Sequence, residues 1–251
     1  FDWDQEPGCV GQPVQFTDQS TGTISSRLWT FAGGSPATST QQNPLVTFNA
    51  PGPHNVTLVV TGPNGNASST QVVHIDPLPV ASFTFMMNDF TATFNNTSTN
   101  ATSYLWEFGD GAESTDEDPI YTYNEAGTYI VKLTATNHCG SATKVFTVNT
   151  APTPEFSAEP TSGCASLVVQ MINESSANSV TYQWLFPGGI PSVSNQPNPV
   201  VVYNTSGVYT ITLTAGNSIG SHTITKTNYI TVQTVPAPSF TSSVSGLTVT
   251  F

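Results

Sequence analysis

The six residues Trp106-Glu-Phe108-Gly109-Asp110-Gly111 occur three times in this chain, with small changes. The other copies read Trp29-Thr-Phe31-Ala-Gly33-Gly34 and Trp184-Leu-Phe186-Pro-Gly188-Gly189. In each copy the Trp and the Phe are two residues apart, so a β-strand would direct both side chains to the same face. The glycines that follow are typical of a tight turn whose backbone needs a positive φ. The hexapeptide therefore predicts a strand with a buried aromatic face that ends in a hairpin turn.

Two further motifs follow each copy at similar spacing. The first is a turn dipeptide before a short apolar segment, at Asn43-Pro44, Asp118-Pro119 and Asn198-Pro199. The second alternates apolar and polar residues, as in a strand with one buried face, and begins at Gly52, Gly127 and Gly207. Because self-similarity at a fixed period marks repeated structural units, we predict three domains, at residues 1–76, 77–150 and 151–235.

Residues 236–251 begin the same pattern again. Phe240 and Phe251 are as far apart as Phe83 and Phe94 in the second domain. We therefore predict that residues 236–251 are the start of a fourth repeat. Two strands cannot bury a face by themselves, so either the chain continues or this segment completes a sheet in a neighbouring molecule. The Pro-x-Pro segments between the domains predict short, stiff linkers.

The hexapeptide at Trp106, together with Gly127-Thr-Tyr129-Ile-Val131-Lys-Leu133-Thr-Ala-Thr-Asn137, resembles the PKD domain, a β-sandwich module named after the polycystins. The resemblance covers essentially the whole chain. Domains 1 and 3 replace Gly-Asp-Gly with Gly-Gly, a variant that resembles the PKD repeats of large secreted bacterial surface proteins. The resemblance implies an immunoglobulin-like sandwich, an extracellular or cell-surface location, and a role as a spacer, adhesive or substrate-presenting module. The expected fold is all-β, with three tandem immunoglobulin-like β-sandwiches plus the first strands of a fourth.

Aromatic residues form the predicted core of each domain. Immunoglobulin domains bury a Trp between their sheets, and a Tyr near the start of a late strand bonds its hydroxyl to backbone upstream, forming a tyrosine corner. In domain 1 the corner position is His54, which we interpret as a packing substitute and not as a ligand. The predicted core and corner residues are Trp29, Phe31, Trp106, Phe108, Trp184, Phe186, Tyr129 and Tyr209.

The charge of the chain excludes some classes of partner. The 251 residues include 4 basic and 16 acidic side chains, giving a net charge of −12. Proteins that bind nucleic acids neutralise phosphates with Lys and Arg, so we expect no nucleic-acid partner. No apolar run approaches the roughly 18 residues of a candidate transmembrane helix, so we expect no membrane insertion.

The residues that catalysis requires are scattered along the chain. The histidines, His54, His74, His138 and His222, show no metal-ligand spacing such as His-x-x-x-His. The sequence also lacks a Gly-x-Ser-x-Gly nucleophile elbow. We therefore predict that the chain is not an enzyme and has no cofactor apart from the calcium considered next.

Two features are candidate binding sites. Asp110, Asp116 and Asp118 lie in the densest acidic stretch, which is either a solvated loop or a weak calcium site, since hard cations bind carboxylate oxygens. Trp3 is the one Trp outside the repeated motif. It is a candidate contact for a ligand such as a polysaccharide, and the alternative is a strand-edge residue or a contact with a preceding domain.

The three cysteines, Cys9, Cys139 and Cys164, fall one in each domain, so a disulfide within a domain is excluded. An interdomain bridge between Cys139 and Cys164, isolated buried thiols, and a cysteine that links two chains remain as alternatives.

The sequence thus favours a non-catalytic extracellular repeat array, acting as a stalk, an adhesin or a filament component. Its expected partners are neighbouring repeats of the same or identical chains, and an extracellular protein or polysaccharide. The alternative is a substrate-binding accessory region of a secreted hydrolase that acts on polysaccharide or collagen.

Overall fold

The computed structural model describes residues 1–234, 238–239, 241, 243–245 and 248–250, and all regular structure in these residues is β-strand. None of the described residues belongs to a helix long and apolar enough to cross a membrane. The strands form three tandem immunoglobulin-like β-sandwiches and one further strand pair, as the sequence predicts.

The first sandwich has two sheets. Its strands are β1 (Asp2–Trp3), β2 (Gly8–Cys9), β3 (Pro13–Thr17), β4 (Ser26–Phe31), β5 (Gly34–Ser35), β6 (Thr38–Ser39), β7 (Leu45–Phe48), β8 (Gly52–Gly62) and β9 (Gly65–Asp76). One sheet has the strand order β1-β3-β7-β5 and the other β2-β9-β8-β4-β6. The third, sixth and seventh strands of an immunoglobulin domain share a sheet in the same way as β4, β8 and β9. The short strand β2 runs parallel to the end of β9, so that Cys9 lies opposite Asp76.

The second sandwich lacks the parallel edge strand. Its strands are β10 (Phe83–Asn88), β11 (Thr91–Asn96), β12 (Ser103–Glu107), β13 (Glu113–Ser114), β14 (Ile120–Thr122), β15 (Thr128–Asn137) and β16 (Gly140–Asn149). The sheets have the orders β10-β11-β14 and β13-β12-β15-β16.

The third sandwich repeats the plan of the first, including a parallel edge strand. Its strands are β17 (Phe156–Glu159), β18 (Ser162–Cys164), β19 (Leu167–Asn173), β20 (Thr181–Leu185), β21 (Val193–Ser194), β22 (Val200–Tyr203), β23 (Gly207–Gly216) and β24 (Ser221–Gln233). The sheets have the orders β17-β19-β22 and β18-β24-β23-β20-β21. In β18, Cys164 lies opposite Gln233, as Cys9 lies opposite Asp76.

The described part of residues 236–251 contains the antiparallel pair β25 (Ser243–Ser245) and β26 (Thr248–Thr250). The remaining residues of the predicted fourth repeat, including Phe240 and Phe251, lie outside the described residues. The assignment of 236–251 to a fourth repeat and the three predicted domain bounds remain proposals.

The chain divides into two compact units, and the division passes through the second sandwich. One unit consists of Phe1–Met86, Thr93–Ile120 and Ile130–Thr147, and the other of Met87–Ala92, Tyr121–Tyr129 and Val148–Phe251.

A buried Trp lies at the same place in each sandwich. Trp29, Trp106 and Trp184 are fully buried, and the Phe two residues later is almost completely buried in each copy. Each Trp lies opposite a Leu on the adjacent strand: Trp29 opposite Leu58, Trp106 opposite Leu133 and Trp184 opposite Leu213. Each indole N–H donates to a main-chain carbonyl 2.9–3.0 Å away, on Gln41, Asp116 and Gln196 respectively. The Trp of each motif therefore fills the core, and its only polar side-chain atom, the indole nitrogen, is hydrogen-bonded.

Candidate functional site

The corner contact is present in all three sandwiches. The Tyr209 hydroxyl donates to the carbonyl of Thr205, four residues upstream, at 2.6 Å. Equivalent contacts join Tyr129 to Glu125 at 2.8 Å and the Nε2 of His54 to the carbonyl of Ala50 at 2.9 Å. His54 is 9% exposed, and its Nδ1 lies 2.8 Å from the Ala32 carbonyl. Its imidazole therefore occupies the position of the corner phenol, with both ring nitrogens beside carbonyl oxygens.

The Asx-Pro motif caps the end of a strand in each sandwich. The Oδ1 of Asp118 accepts from the backbone N–H of Asn96 at 2.7 Å. Neutral amides make the same contact elsewhere, since the Oδ1 of Asn43 accepts from Asp18 N–H and that of Asn198 from Asn173 N–H. The role of Asp118 in the fold therefore does not need a charge.

The other two proposed calcium ligands also have local partners. The carboxylate of Asp110 accepts from the backbone N–H of Ala112 at 3.1 Å, and that of Asp116 accepts from the Ser114 hydroxyl at 3.0 Å. Among the described residues, the one group of three or more ligating side chains within 4.8 Å consists of Cys9, His138 and Cys139. Calcium binding by Asp110, Asp116 and Asp118 stays a prediction.

Trp3 lies half-buried on the core of the first sandwich. Its ring centroid is 6.3 Å from that of Phe1 and 6.2 Å from that of Phe16. Its indole N–H donates to the carboxylate of Glu6. The structure thus places Trp3 at the edge of its own domain, and a ligand contact there stays a prediction.

The cysteines pair in a way that the sequence analysis did not consider. Cys9 and Cys139 form a disulfide between the first and second sandwiches, across 130 residues of sequence. Cys164 is free and exposed. The proposed Cys139–Cys164 bridge was therefore wrong, and so was the alternative of isolated buried thiols, because Cys9 and Cys139 are bonded and Cys164 is exposed. The physical reason is the parallel β2–β9 pairing, which places Cys9 beside Asp76, where the first sandwich ends.

Two more ligating side chains surround this disulfide. The Nε2 of His138 lies 3.2 Å from the Sγ of Cys139 and 3.8 Å from the Oδ2 of Asp76. The side chains of His138 and Asp76 are 47% and 45% exposed. We call Cys9, Asp76, His138 and Cys139 the junction cluster.

The side chain of Asn137 makes three hydrogen bonds at the same junction. Its Nδ2 donates to the carbonyls of Pro77 at 2.9 Å and Asn100 at 2.6 Å, and its Oδ1 accepts from the Cys139 N–H at 2.8 Å. This one side chain therefore links the segment after β9, a loop of the second sandwich and the hairpin that contains Cys139.

Asn217 makes the corresponding contacts where the third sandwich begins. Its Nδ2 donates to the carbonyls of Thr150 at 2.7 Å and Asn178 at 3.2 Å, and its Oδ1 accepts from the Ile219 N–H at 2.9 Å. The Nδ2 of Asn178 also donates to the Thr150 carbonyl, at 2.9 Å, and Thr150 is fully buried. We call Asn137 and Asn217 the junction asparagines. Sequence reasoning missed their role, although each is the last residue of a Thr-Ala-x-Asn segment.

A histidine–aspartate pair involves the neighbouring strand, where His222 lies opposite Ala215. The Nε2 of His222 is 3.2 Å from the Oδ1 of Asp89, and its Nδ1 donates to the Pro152 carbonyl at 2.9 Å. The imidazole stacks on the ring of Phe90, with 5.8 Å between centroids.

Each of the four basic side chains contacts a partner within its own sandwich. Arg27 pairs with Asp18, Lys132 with Glu107 and Lys226 with Glu155, while Lys144 lies over the ring of Phe146. Burial alone would raise the pKa of Asp18, but hydrogen bonds from Ser20 and Arg27 outweigh it and hold that pKa below its ordinary value. The hydrogen bond from Lys226 likewise lowers the pKa of Glu155.

Comparison with known proteins finds similarity to one family of domains along most of the chain. Models of the PKD domain match residues 4–75, 84–151 and 146–230. The pre-pro-metalloprotease PrtV of Vibrio cholerae is 40% identical over 68 residues, which are 26% of this chain and 7% of that protein. Collagenase ColA of Bacillus cereus is 50% identical over 42 residues, or 17% of this chain and 4% of that protein. The crystal structure of the PKD1 domain of V. cholerae PrtV is 37% identical, with a TM-score of 0.28, and the match covers 29% of this chain and 96% of that domain. The chain thus spans less than a tenth of the curated relatives it matches.

Proposed function

This chain belongs to the PKD domain family, and from that premise we propose that it is a non-catalytic repeat array of a larger extracellular protein. Its task is to hold neighbouring modules in a fixed orientation, as part of a stalk, an adhesin or a filament. The observation that supports this role is the construction of the two junctions, where a junction asparagine ties linker, loop and hairpin together.

The proposed extracellular location rests on the disulfide. Structural disulfides persist in oxidising compartments and are rare in the cytosol, and Cys9–Cys139 links two sandwiches.

The non-catalytic role is supported by the surroundings of three histidines. His54, His138 and His222 each contact main-chain carbonyls or an acidic or sulfur partner at a corner or junction. These partners serve the packing of the sandwiches and their ends.

A binding assay distinguishes this role from the alternative, a substrate-binding accessory region. That alternative is favoured by the similarity to PrtV and collagenase ColA. The 251-residue chain is incubated with insoluble collagen, cellulose and chitin, and the bound fraction is measured after centrifugation. The spacer role predicts no binding above that of an unrelated immunoglobulin-like domain. Saturable binding that is lost in Trp3→Ala would replace the spacer role with the accessory role.

A further inference from the structure

We propose that the junction cluster is a metal site in the reduced chain, where it binds a zinc-class divalent cation through Cys9, Cys139, His138 and Asp76. In the oxidised chain the two sulfurs are joined to each other. Two thiolates, one imidazole and one carboxylate form a ligand set typical of zinc, which prefers tetrahedral sulfur and nitrogen coordination.

The distances in the oxidised chain already approach those of such a site. Zinc bonds of about 2.3 Å to sulfur and about 2.0 Å to nitrogen or oxygen separate tetrahedral ligand atoms by roughly 3.3–3.8 Å. The Nε2 of His138 is 3.2 Å from the Cys139 Sγ and 3.8 Å from the Asp76 Oδ2. The ligand atoms of Cys9, His138 and Cys139 all lie within 4.8 Å of one another. Reduction removes the bond that holds the two sulfurs together, so that they can separate. The Asp76 carboxylate is near His138 but is not in that group, so its exposed side chain must also turn toward the sulfurs.

The four residues remain positioned when the disulfide opens, because other contacts hold them. Cys9 is fixed beside Asp76 by the parallel β2–β9 pairing. His138 and Cys139 belong to the hairpin that Asn137 orders through the Cys139 N–H. Asn137 also donates to the carbonyl of Pro77, the residue after Asp76. The cluster therefore does not depend on the sulfur–sulfur bond for its assembly.

The site is also accessible to an ion from solvent. Cys9 is 7% exposed, whereas His138 and Asp76 leave almost half of their side-chain surface in contact with water. An ion can enter on the imidazole and carboxylate side and reach the sulfurs, as a metal site with an entry path requires.

The chemistry balances with a reductant of the trialkylphosphine class. The phosphine cleaves the sulfur–sulfur bond and takes the oxygen of one water molecule, which yields the phosphine oxide and two thiols. The divalent cation then displaces both thiol protons and binds the thiolates. The same residues thus cross-link the first two sandwiches in either state, through a covalent bond when oxidised and through a metal ion when reduced. This inference does not rest on the proposed spacer function.

The test uses Co²⁺ as a spectroscopic probe on the full chain with Cys164→Ser, which removes the free thiol. After reduction we expect one Co²⁺ per chain, with thiolate charge-transfer absorption and the visible bands of tetrahedral cobalt. Zn²⁺ should displace the cobalt, because zinc binds such sites more tightly. The oxidised chain should show neither signal.

Ligand variants identify the site. Cys9→Ser leaves one of the two thiolates, so both the thiolate charge-transfer absorption and the Co²⁺ affinity should fall. His138→Ala and Asp76→Asn should each weaken binding by at least about tenfold, because even residues that only surround metal ligands contribute that much to affinity. The matched controls are His222→Ala and Asp89→Asn, which remove a histidine–aspartate pair that is not beside a disulfide. Amide NMR spectra establish that each reduced variant is folded.

Three results would overturn the proposal: no cobalt signal in the reduced, folded chain; equal binding in the oxidised chain; or a Co²⁺ affinity that is unchanged in both Cys9→Ser and His138→Ala. None of these results affects the proposed spacer role, which is tested by measuring the relative orientation of the first two sandwiches and binding to collagen or polysaccharide.

Discussion

At the scale of single residues, the molecule repeats three polar contacts on different side chains. The buried indole N–H finds a carbonyl in each sandwich, the corner is built from Tyr or His, and the strand cap is built from Asn or Asp. What the fold requires at these positions is a donor or an acceptor in the right place, and more than one residue type supplies it.

Trp184→Phe should lower the free energy of unfolding of the third sandwich by about 2–3 kcal/mol. The change leaves a small cavity and deprives the Gln196 carbonyl of its donor. Hydrogen exchange with peptide mass spectrometry measures each sandwich separately. The matched control, Trp3→Phe, changes a half-buried indole that donates to Glu6 and should cost less than about 1 kcal/mol. Equal losses in both variants would contradict the role assigned to the buried Trp.

The hydrogen bonds that Asp18 accepts from Ser20 and Arg27 should make the first sandwich sensitive to acid. The folded pKa of Asp18 lies below its ordinary value of 3.8, so these interactions stabilise the fold above about that pH, and the stabilisation is lost as the pH falls through the lower, folded pKa. Urea unfolding followed by amide NMR at neutral and acidic pH should show this loss in the wild type and a smaller one in Asp18→Asn. An identical acid dependence in the two chains would show that Asp18 does not contribute.

At the scale of strands and loops, Asp118 of the predicted calcium site also caps a strand as part of an Asx-Pro motif. Asp118→Asn should change the stability of the second sandwich by less than about 0.5 kcal/mol, because Asn43 and Asn198 make the same contact. Asp118→Ala should cost about 1–2 kcal/mol, because the Asn96 N–H loses its acceptor. Both measurements are repeated with calcium. A loss in Asp118→Asn that is confined to calcium-containing buffer would establish a calcium role for this carboxylate.

The sandwich fold could be predicted from the sequence, but the short edge strands could not. The sandwich class follows from three copies of an alternating Trp-x-Phe pattern with turn glycines, and Gly33, Gly109 and Gly188 do adopt positive φ. The disulfide does not follow, because it depends on β2, a parallel strand of only two residues with no periodicity to detect. The role of the junction asparagines could not be predicted either, since an Asn where a strand ends is typical of any turn.

Thiol chemistry tests the position of the edge strands. Cys164 occupies in β18 the place of Cys9 in β2, but it is exposed and free. A thiol reagent should therefore modify one cysteine per native chain, and peptide mapping should identify it as Cys164. Modification of Cys9 or Cys139 in the unreduced chain would contradict the observed pairing.

At the scale of the whole molecule, we propose that the junctions between the sandwiches are rigid, as the sandwiches are. The first junction combines a disulfide with Asn137, so loss of either one should be tolerated and loss of both should not. Removing the Asn137 side chain takes away two donated hydrogen bonds and one accepted bond, each worth about 1 kcal/mol.

The most direct test is residual dipolar coupling NMR on the backbone amides of the first and second sandwiches. We expect one alignment tensor to fit both sandwiches in the wild type, in the double variant Cys9→Ser/Cys139→Ser, and in Asn137→Ala with the disulfide intact. The triple variant should need two different tensors, because its sandwiches reorient independently. If the wild-type chain needs two tensors, the proposed rigid junction is wrong, because the two sandwiches would then be connected but would not keep a fixed relative orientation.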